Sequence, residues 1–484
     1  LSNELPRTSP EAQGIHSEGI VSFLDSITEN PGELHSLIVA RHGNIVAEGY
    51  WKPYSADRQH LLYSLSKSFT STAAGFAVQE GFLSLDDAVI SFFPDDLPAE
   101  ISPNLAAMKV RHLLMMGTGH ENEPSFWQCP DDNWAKHFLA TPVQREPGTH
   151  FLYNTAATYM VSAIVKKATG QDMVEFLKPR LFVPLDIREP VTERCPRGIP
   201  FGGSGLYLTT NDIAKFGQLY LQKGIWNGER LLSEEWVDTA TSKQISNGDG
   251  GENEWGQGYG FQFWRCRHNA YRGDGAFGQY CLVMPDQDAV IAITSGVPDM
   301  GRILNLIWEH ILPAMQSAPL ATSPEAEGKL RQCLESRAII APEGATSSPI
   351  AEQATGKTFC FPENDQKIHS ARIDFANDYA TLFIHDEQGE HSLEIGIGNW
   401  RESETTFLMD RLWGNRSPFQ TATIAGKGAW TDEHTFTAKL CLLSTPSCPT
   451  FIFAFTDGKI SLAVKGNIGF GPAEHAEIVG SEGG

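Results

Sequence analysis

Along residues 36–51, "SLIVARHGNIVAEGYW", apolar and polar positions form two alternating runs split by His42-Gly43-Asn44, which predicts a β-hairpin. From residue 63 the period changes. In "YSLSKSFTSTAAGFAVQEG" (63–81) an almost unbroken apolar run falls at helical spacing, and Gly81 stands where a C-terminal cap belongs. Helical patterning then prevails from about 107 to 230, most clearly in "TAATYMVSAIVKKATG" (155–170) and "TNDIAKFGQLYLQKG" (210–224). Strands return near 258–266, 277–284 and 288–295, and "GRILNLIWEHILPAM" (301–315) follows as a helix. This order predicts one sheet with helical material inserted between its early and late strands.

The pattern then shifts. Residues 316–356 are rich in Ala, Ser, Pro and Gly around one short helix, as in a linker. Beyond them "SARIDF", "YATLFIHD", "HSLEIGIG", "TFTAKLCLL", "TFIFAF" and "KISLAVKG" alternate with period two between turn residues, which predicts a small antiparallel barrel or sandwich. The expected division is an α/β domain at 1–318, a linker with a short helix at 319–351, and a lipocalin-like β-barrel domain at 352–484 that folds independently.

At 484 residues the chain exceeds one ordinary core, and 41% hydrophobic with 20% charged residues is globular composition. Lys and Arg total 37 against 59 Asp and Glu, a net charge of -22, which argues against nucleic-acid or anionic-membrane partners. No stretch approaches the roughly 18 apolar residues of a membrane span. The eight cysteines show no C-x-x-C pair and no zinc spacing, so they read as reduced core thiols and point to the cytoplasm. The opening residues carry no apolar signal core, though an exported protein whose leader had been removed would look the same. The sequence leaves a homo-oligomer open.

Lysine is an odd residue for a helix so apolar. Ser64 and Lys67 lie three apart and share a face, so the amine can reach the hydroxyl. Serine is a weak nucleophile without a base. Lysine becomes that base only if burial moves its pKa from about 10.4 toward 7, a shift worth roughly 4 kcal/mol. Against this stands chance: S-x-x-K should occur about twice in a chain of this length, and a lysine snorkelling to water would explain it equally.

The surrounding segments decide between these readings. "LLYSLSKSFTS", "VRHLLMMGTGH" (110–120), "EPGTHFLYNTAATYMVSAIVKKATG" (146–170), "GGSGLYLTTNDIAKFGQLYLQKG" (202–224) and "YRGDGAFGQYCLVMPDQDAVIAITSG" (271–296) resemble, in order, the serine β-lactamase and penicillin-binding superfamily. The resemblance is to its class C-like branch, with family VIII carboxylesterases, D-amino-acid peptidases and 6-aminohexanoate-dimer hydrolases. It implies an antiparallel sheet flanked by helices with a helical subdomain. It also implies acylation of Ser64, activation by Lys67, and proton transfer shared with Tyr153, held as phenolate by the nearby ammonium. The oxyanion donors would be the backbone N–H groups of Ser64 and Ala276. Substrate contacts would fall to Asn154 and Thr155, in a Y-x-N motif altered to Tyr-Asn-Thr, and to Gly273, Asp274 and Gly275, which replace the family's K-T-G triplet. With that lysine missing, carboxylated β-lactams should be poor substrates unless Arg265, Arg267 or Arg272 folds in. The implied function is hydrolysis of an ester or amide in a small molecule or peptide, with no metal or organic cofactor. A penicillin-recognising scaffold with little turnover, or a true β-lactamase or D-peptidase, remain the alternatives.

Other motifs carry less. "GDGAFG" (273–278) fits a dinucleotide fingerprint, but a strand-like run follows where a helix is needed. "GGSGL" around Ser204 lacks the last glycine of a nucleophile elbow. His112 and His120 have no third ligand at metal spacing, and Trp127 and Trp134 sit in a polar loop that either roofs the site or anchors itself.

Overall fold

The computed structural model of the chain describes residues 3–29, 33–126, 129, 131–407, 418–471 and 474–483. Leu34–Arg41 (β1) and Asn44–Tyr50 (β2) form the expected hairpin, with His42 and Gly43 both at positive φ as a two-residue primed turn requires. They join Trp264–Arg265 (β3), Tyr271–Gly275 (β4), Gln279–Met284 (β5) and Ala289–Ser295 (β6) in an antiparallel sheet ordered β2-β1-β6-β5-β4-β3. The strand expected at 258–266 shrinks to β3. Gly258 (φ 114°) and Gln262 (φ 66°) bend the segment, and the Gln262 N–H bonds Leu114 O in the helical layer instead of a neighbouring strand.

Successive residues of the central strands face opposite cores. Ile38, Ala40, Cys281, Val283, Val290 and Ala292 face the layer containing Ser66–Gln79 and Thr210–Leu221. Leu37, Val39, Tyr280, Leu282, Ile291 and Ile293 face Ser17–Glu29 and the helix that starts at Met300. With both faces covered, these strands read as nearly continuous apolar runs. The inserted segment between β2 and β3 supplies Thr155–Thr169, which packs on Ser66–Gln79.

The linker-like stretch is not free chain. In Pro324–Glu335, Leu330 and Leu334 lie one turn apart and dock on the sheet domain's second core, and Pro349–Ala354 sits on the barrel through Ile350, Ala351 and Ala354.

Among the described residues ten further strands, from Phe359–Cys360 to Ile478–Glu482, form the C-terminal sheet. Nine of them close into a barrel where Gly396–Ile397 pairs in parallel with Lys427–Gly428, and Arg401–Thr405 runs antiparallel on the same strand beside that seam. The likeness to a lipocalin stops at closure. Lipocalins have eight strands around a ligand cavity, whereas Ile373, Leu382, Ile395, Phe436, Phe453 and Leu462 fill this interior with packed side chains.

The barrel also packs directly against the sheet domain. Its Ala425, Cys441, Leu443 and Cys448 belong to one apolar cluster with Leu34, Trp51, Tyr54 and Val297. Leu61 N–H donates to Ser444 O at 2.8 Å and Tyr54 Oη to Thr445 O at 3.1 Å across the same contact. All eight cysteines are free thiols, five of them buried. Among the described residues no helix is long and apolar enough to cross a membrane.

Candidate active site

Ser64 occupies a single 3-10 turn, Tyr63–Leu65, that feeds directly into the helix Ser66–Gln79. Tyr63 enters that turn at φ 45°, a left-handed conformation that is costly for a bulky residue and recurs at functional sites. The helix is buried almost throughout, yet it carries many hydroxyls. Thr70 Oγ1 donates to Gly202 O at 2.8 Å, Ser68 Oγ to Gln262 O at 2.8 Å, and Ser66 Oγ accepts from Leu206 N at 3.0 Å. These bonds satisfy groups that burial would otherwise penalise, and they fix the helix against the inserted segments.

Lys67, almost fully buried, places Nζ 3.0 Å from Ser64 Oγ, 2.6 Å from Gly203 O and 3.4 Å from Thr155 Oγ1. A neutral amine has two N–H groups and one lone pair. Gly203 O can only accept, and Thr155 Oγ1 can take the second N–H, so the lone pair is left for the Ser64 hydroxyl. Desolvation brings the Lys67 pKa down to about 7, against the opposing pull of Glu123 and Asp274. Neutral amine is therefore abundant at ordinary pH.

Tyr153 stacks on Trp264 at 5.3 Å and 23°, and the Lys67 ammonium position lies 4.8 Å from the centre of its ring. Ser64 lies beside its hydroxyl and draws the phenol pKa down. The expected phenolate is not supported. Burial raises the Tyr153 pKa well above 10, Asp274 and Glu123 raise it further, and only Ser64 and Arg272 oppose them. Tyr153 is a phenol here, chiefly because burial disfavours the phenolate, with the Asp274 and Glu123 carboxylates adding to that effect.

The other expected positions divide. Ala276 follows the last residue of β4 and lines the same cavity as Ser64, its carbonyl held by Gln279 Nε2 at 2.9 Å. Thr155 and Asp274 also line it. Asn154 does not. It is fully buried and caps the helix Thr155–Thr169, its side chain accepting from Ala157 N at 3.0 Å, so the substrate contact assigned to it is corrected to a structural one. Gly273 and Gly275 are corrected likewise. A Cβ at Gly273 would lie 2.5 Å from Ser68 Oγ and Leu65 Cδ1, and one at Gly275 would lie 2.0 Å from Leu62 O. Both are glycine because β4 presses against the nucleophile turn, and that contact leaves no room for a K-T-G lysine.

Asp274 is buried and bound by Arg272 Nε at 2.9 Å. Two residues apart on one strand, they share a face. Arg272 is itself sequestered, with Nη1 on Glu254 O at 3.1 Å and its guanidinium 4.8 Å from the Trp255 ring. It offsets the charge of Asp274 without entering the cavity. Arg265 and Arg267 are engaged elsewhere, on Thr241 O at 3.0 Å and on Glu254.

The cavity at Ser64 measures about 950 Å³. Its walls include Tyr63, Phe201, Trp255, Trp264 and Phe277, and three carboxylates, Glu123, Glu193 and Asp274, with no arginine or lysine among the described lining residues. Glu123 accepts from the Thr155 N–H. Ser447 and Ile468–Gly471 complete the lining from the barrel side, and Phe470 meets Tyr63 edge-on at 5.8 Å and Phe277 at 5.0 Å. Sequence reasoning missed Glu123 and Glu193, since neither lies in a recognisable motif; it allowed for barrel loops over the cavity mouth without singling out which one. Ser204 lines the cavity too. Trp134 is buried against Phe126 at 4.4 Å and away from the lining, while Trp127 lies outside the described residues. His112 takes the Lys109 N–H at 3.1 Å, and His120 pairs with Thr118 Oγ1 at 2.9 Å. Burial lowers both to about 4, and both are structural.

The beta-lactamase family profile matches residues 35–306, more than half the chain, and ends before the barrel. A 6-aminohexanoate-dimer hydrolase of Paenarthrobacter ureafaciens is 27% identical over 289 residues, covering 54% of this chain and 73% of that protein. A lovastatin esterase of Penicillium rubens is 27% identical over 254 residues, covering 41% of this chain and 62% of the esterase. The crystal structure of SurE aligns with 95% of this chain and 98% of its own at a TM-score of 0.50 and 15% identity, a likeness of fold.

Proposed function

The chain belongs to the β-lactamase family of serine hydrolases, and on that premise we propose that it cleaves neutral or cationic esters or amides through an acyl-enzyme on Ser64. The observation that carries this reading is the buried Lys67 Nζ 3.0 Å from Ser64 Oγ, where desolvation draws the amine pKa down to about 7. Ser64 Oγ attacks the substrate carbonyl as its proton passes to Lys67 Nζ. The N–H groups of Ser64 and Ala276 receive the developing oxyanion, a role in which one donor is worth about 2.7–4 kcal/mol. The Tyr153 phenol gives its proton to the leaving oxygen or nitrogen and recovers one from the Lys67 ammonium. Water then repeats the sequence in reverse and releases the acid.

Glu123 and Glu193 in the walls set the substrate class, since Arg272 already offsets the charge of Asp274. A substrate carboxylate about 4 Å from one of them is disfavoured by roughly 1–4 kcal/mol, depending on the local dielectric. The aromatic walls favour apolar acyl or leaving groups. These features support small-molecule or peptide substrates without a carboxylate beside the scissile bond, rather than β-lactams. Comparing kcat/KM for p-nitrophenyl acetate and nitrocefin tests this. Ester turnover with little or no nitrocefin hydrolysis is expected, and efficient nitrocefin hydrolysis would overturn the assignment.

A further inference from the structure

Where the barrel meets the start of β1, a carboxylate oxygen of Glu33, a ring nitrogen of His35 and Cys448 Sγ lie within 4.8 Å of one another. His35 is fully buried and stacks on Tyr54 at 3.9 Å and 11°. Its Nδ1 is 2.9 Å from His60 Nε2, and His60 Nδ1 is 3.1 Å from Leu61 O. A carbonyl only accepts, so His60 carries its proton on Nδ1 and offers a lone pair at Nε2. His35 must then carry its own proton on Nδ1, which leaves Nε2 a bare lone pair. That atom has no hydrogen-bond partner among the described residues.

Glu33 shows the same half-used state. Lys439 Nζ holds one of its oxygens at 2.8 Å, and the other, Oε2, is buried without a partner among the described residues. Cys448 Sγ lies 3.1 Å from Tyr54 Oη, and its backbone N–H is fixed by Asn467 Oδ1 at 2.7 Å. Two orphaned acceptors beside a thiol, all buried, are costly unless something fills the space between them.

We propose that Glu33, His35 and Cys448 bind a zinc ion that fastens the barrel to the hydrolase domain behind the roof of the cavity. One nitrogen, one sulfur and one oxygen suit borderline-soft Zn²⁺, and the thiol disfavours Mg²⁺ and Ca²⁺. On binding, the Cys448 thiol releases its proton to solvent and the thiolate takes a coordination position, with water as fourth ligand. Bonds of about 2.0–2.3 Å at tetrahedral angles bring ligand atoms to within about 3.3–3.8 Å, so the three groups need to close by at most about 1–1.5 Å. His60 on His35 Nδ1 and Lys439 on Glu33 act as the outer hydrogen bonds that orient metal ligands. The ion performs no chemistry on substrate, because none of its ligands lines the cavity. It acts on position. Cys448 follows the cavity-lining Ser447, and Asn467, which fixes Cys448, leads directly into Ile468–Gly471.

The test uses the full chain, reduced with a phosphine, stripped with chelator, incubated with zinc and passed through gel filtration before metal analysis. One zinc per chain is expected, with a raised Tm relative to the stripped protein. Cobalt in its place should give thiolate-to-metal absorption in the near ultraviolet. His35→Ala and Cys448→Ser should lose both the metal and the Tm increment, while Cys360→Ser, at an exposed barrel thiol, keeps them. Folded wild-type protein that retains no zinc, or a Cys448→Ser variant that retains it fully, would overturn the proposal. If His35→Ala does not fold, the wild-type stoichiometry and the cobalt spectrum still decide it.

Discussion

Lys67 Nζ and the Gly203 carbonyl oxygen lie 2.6 Å apart, in a contact that commits one amine hydrogen away from the nucleophile. With the pKa drawn down to about 7, the competent base is the neutral amine that dominates above that pH. The rate constant kcat/KM should therefore rise through an acid limb near pH 7 and fall tenfold per unit well below it. A profile with no limb near pH 7 would remove Lys67 from the role of base.

The same shift makes Lys67 a liability for stability. Its folded pKa lies below the 10.5 of the free side chain, so folding at neutral pH must expel a proton. The cost is full below pH 7 and fades as pH rises toward 10.5, so stability should climb across that window. Lys67→Met should abolish turnover yet raise stability at pH 7 by about 1–3 kcal/mol, the desolvation gain less the lost bond to Gly203 O. Urea unfolding measures it. A variant less stable than wild type would show that the amine is not paying a desolvation cost.

Asn154 separates a cap from a substrate contact. Asn154→Ala should lower stability by about 0.5–2 kcal/mol while leaving KM within about twofold. A large KM increase with unchanged stability would return Asn154 to the substrate site.

The barrel contributes both packing and cavity wall. A chain ending at residue 350 should expose the cluster that Ala425, Cys441, Leu443 and Cys448 cover, and should aggregate or melt at lower temperature. Phe470 is 82% exposed and meets the rim aromatics Tyr63 and Phe277, so Phe470→Ala should spare the fold and raise KM for aromatic esters more than for acetate. Truncated protein with unchanged Tm and specificity would remove the barrel from the account of the cavity.

Sequence periodicity reached the hairpin, the helix after Ser64 and the alternating barrel strands because each depends on neighbours within a few residues. The S-x-x-K pair was legible for the same reason, as three residues on one turn. What escaped came from distant chain. Gly273 and Gly275 resembled a binding triplet, and only the packing of β4 on Ser68 and Leu62 shows them as close-approach glycines. Arg272 and Asp274 look like two loose charges until the strand pairs them. The contact of Glu33 and His35 with Cys448 joins opposite ends of the chain, beyond any spacing rule. The linker's Leu330 and Leu334 were hidden by Pro- and Ala-rich surroundings, although their spacing is that of a docked helix.

Ser64 carries the whole reading, and peptide mapping after incubation with a fluorophosphonate tests it most directly. The predicted result is one phosphonyl adduct on the peptide containing Ser64, absent in Ser64→Ala and much slowed in Lys67→Met. An adduct that persists in Ser64→Ala, or that maps to Ser204 across the same cavity, would contradict it.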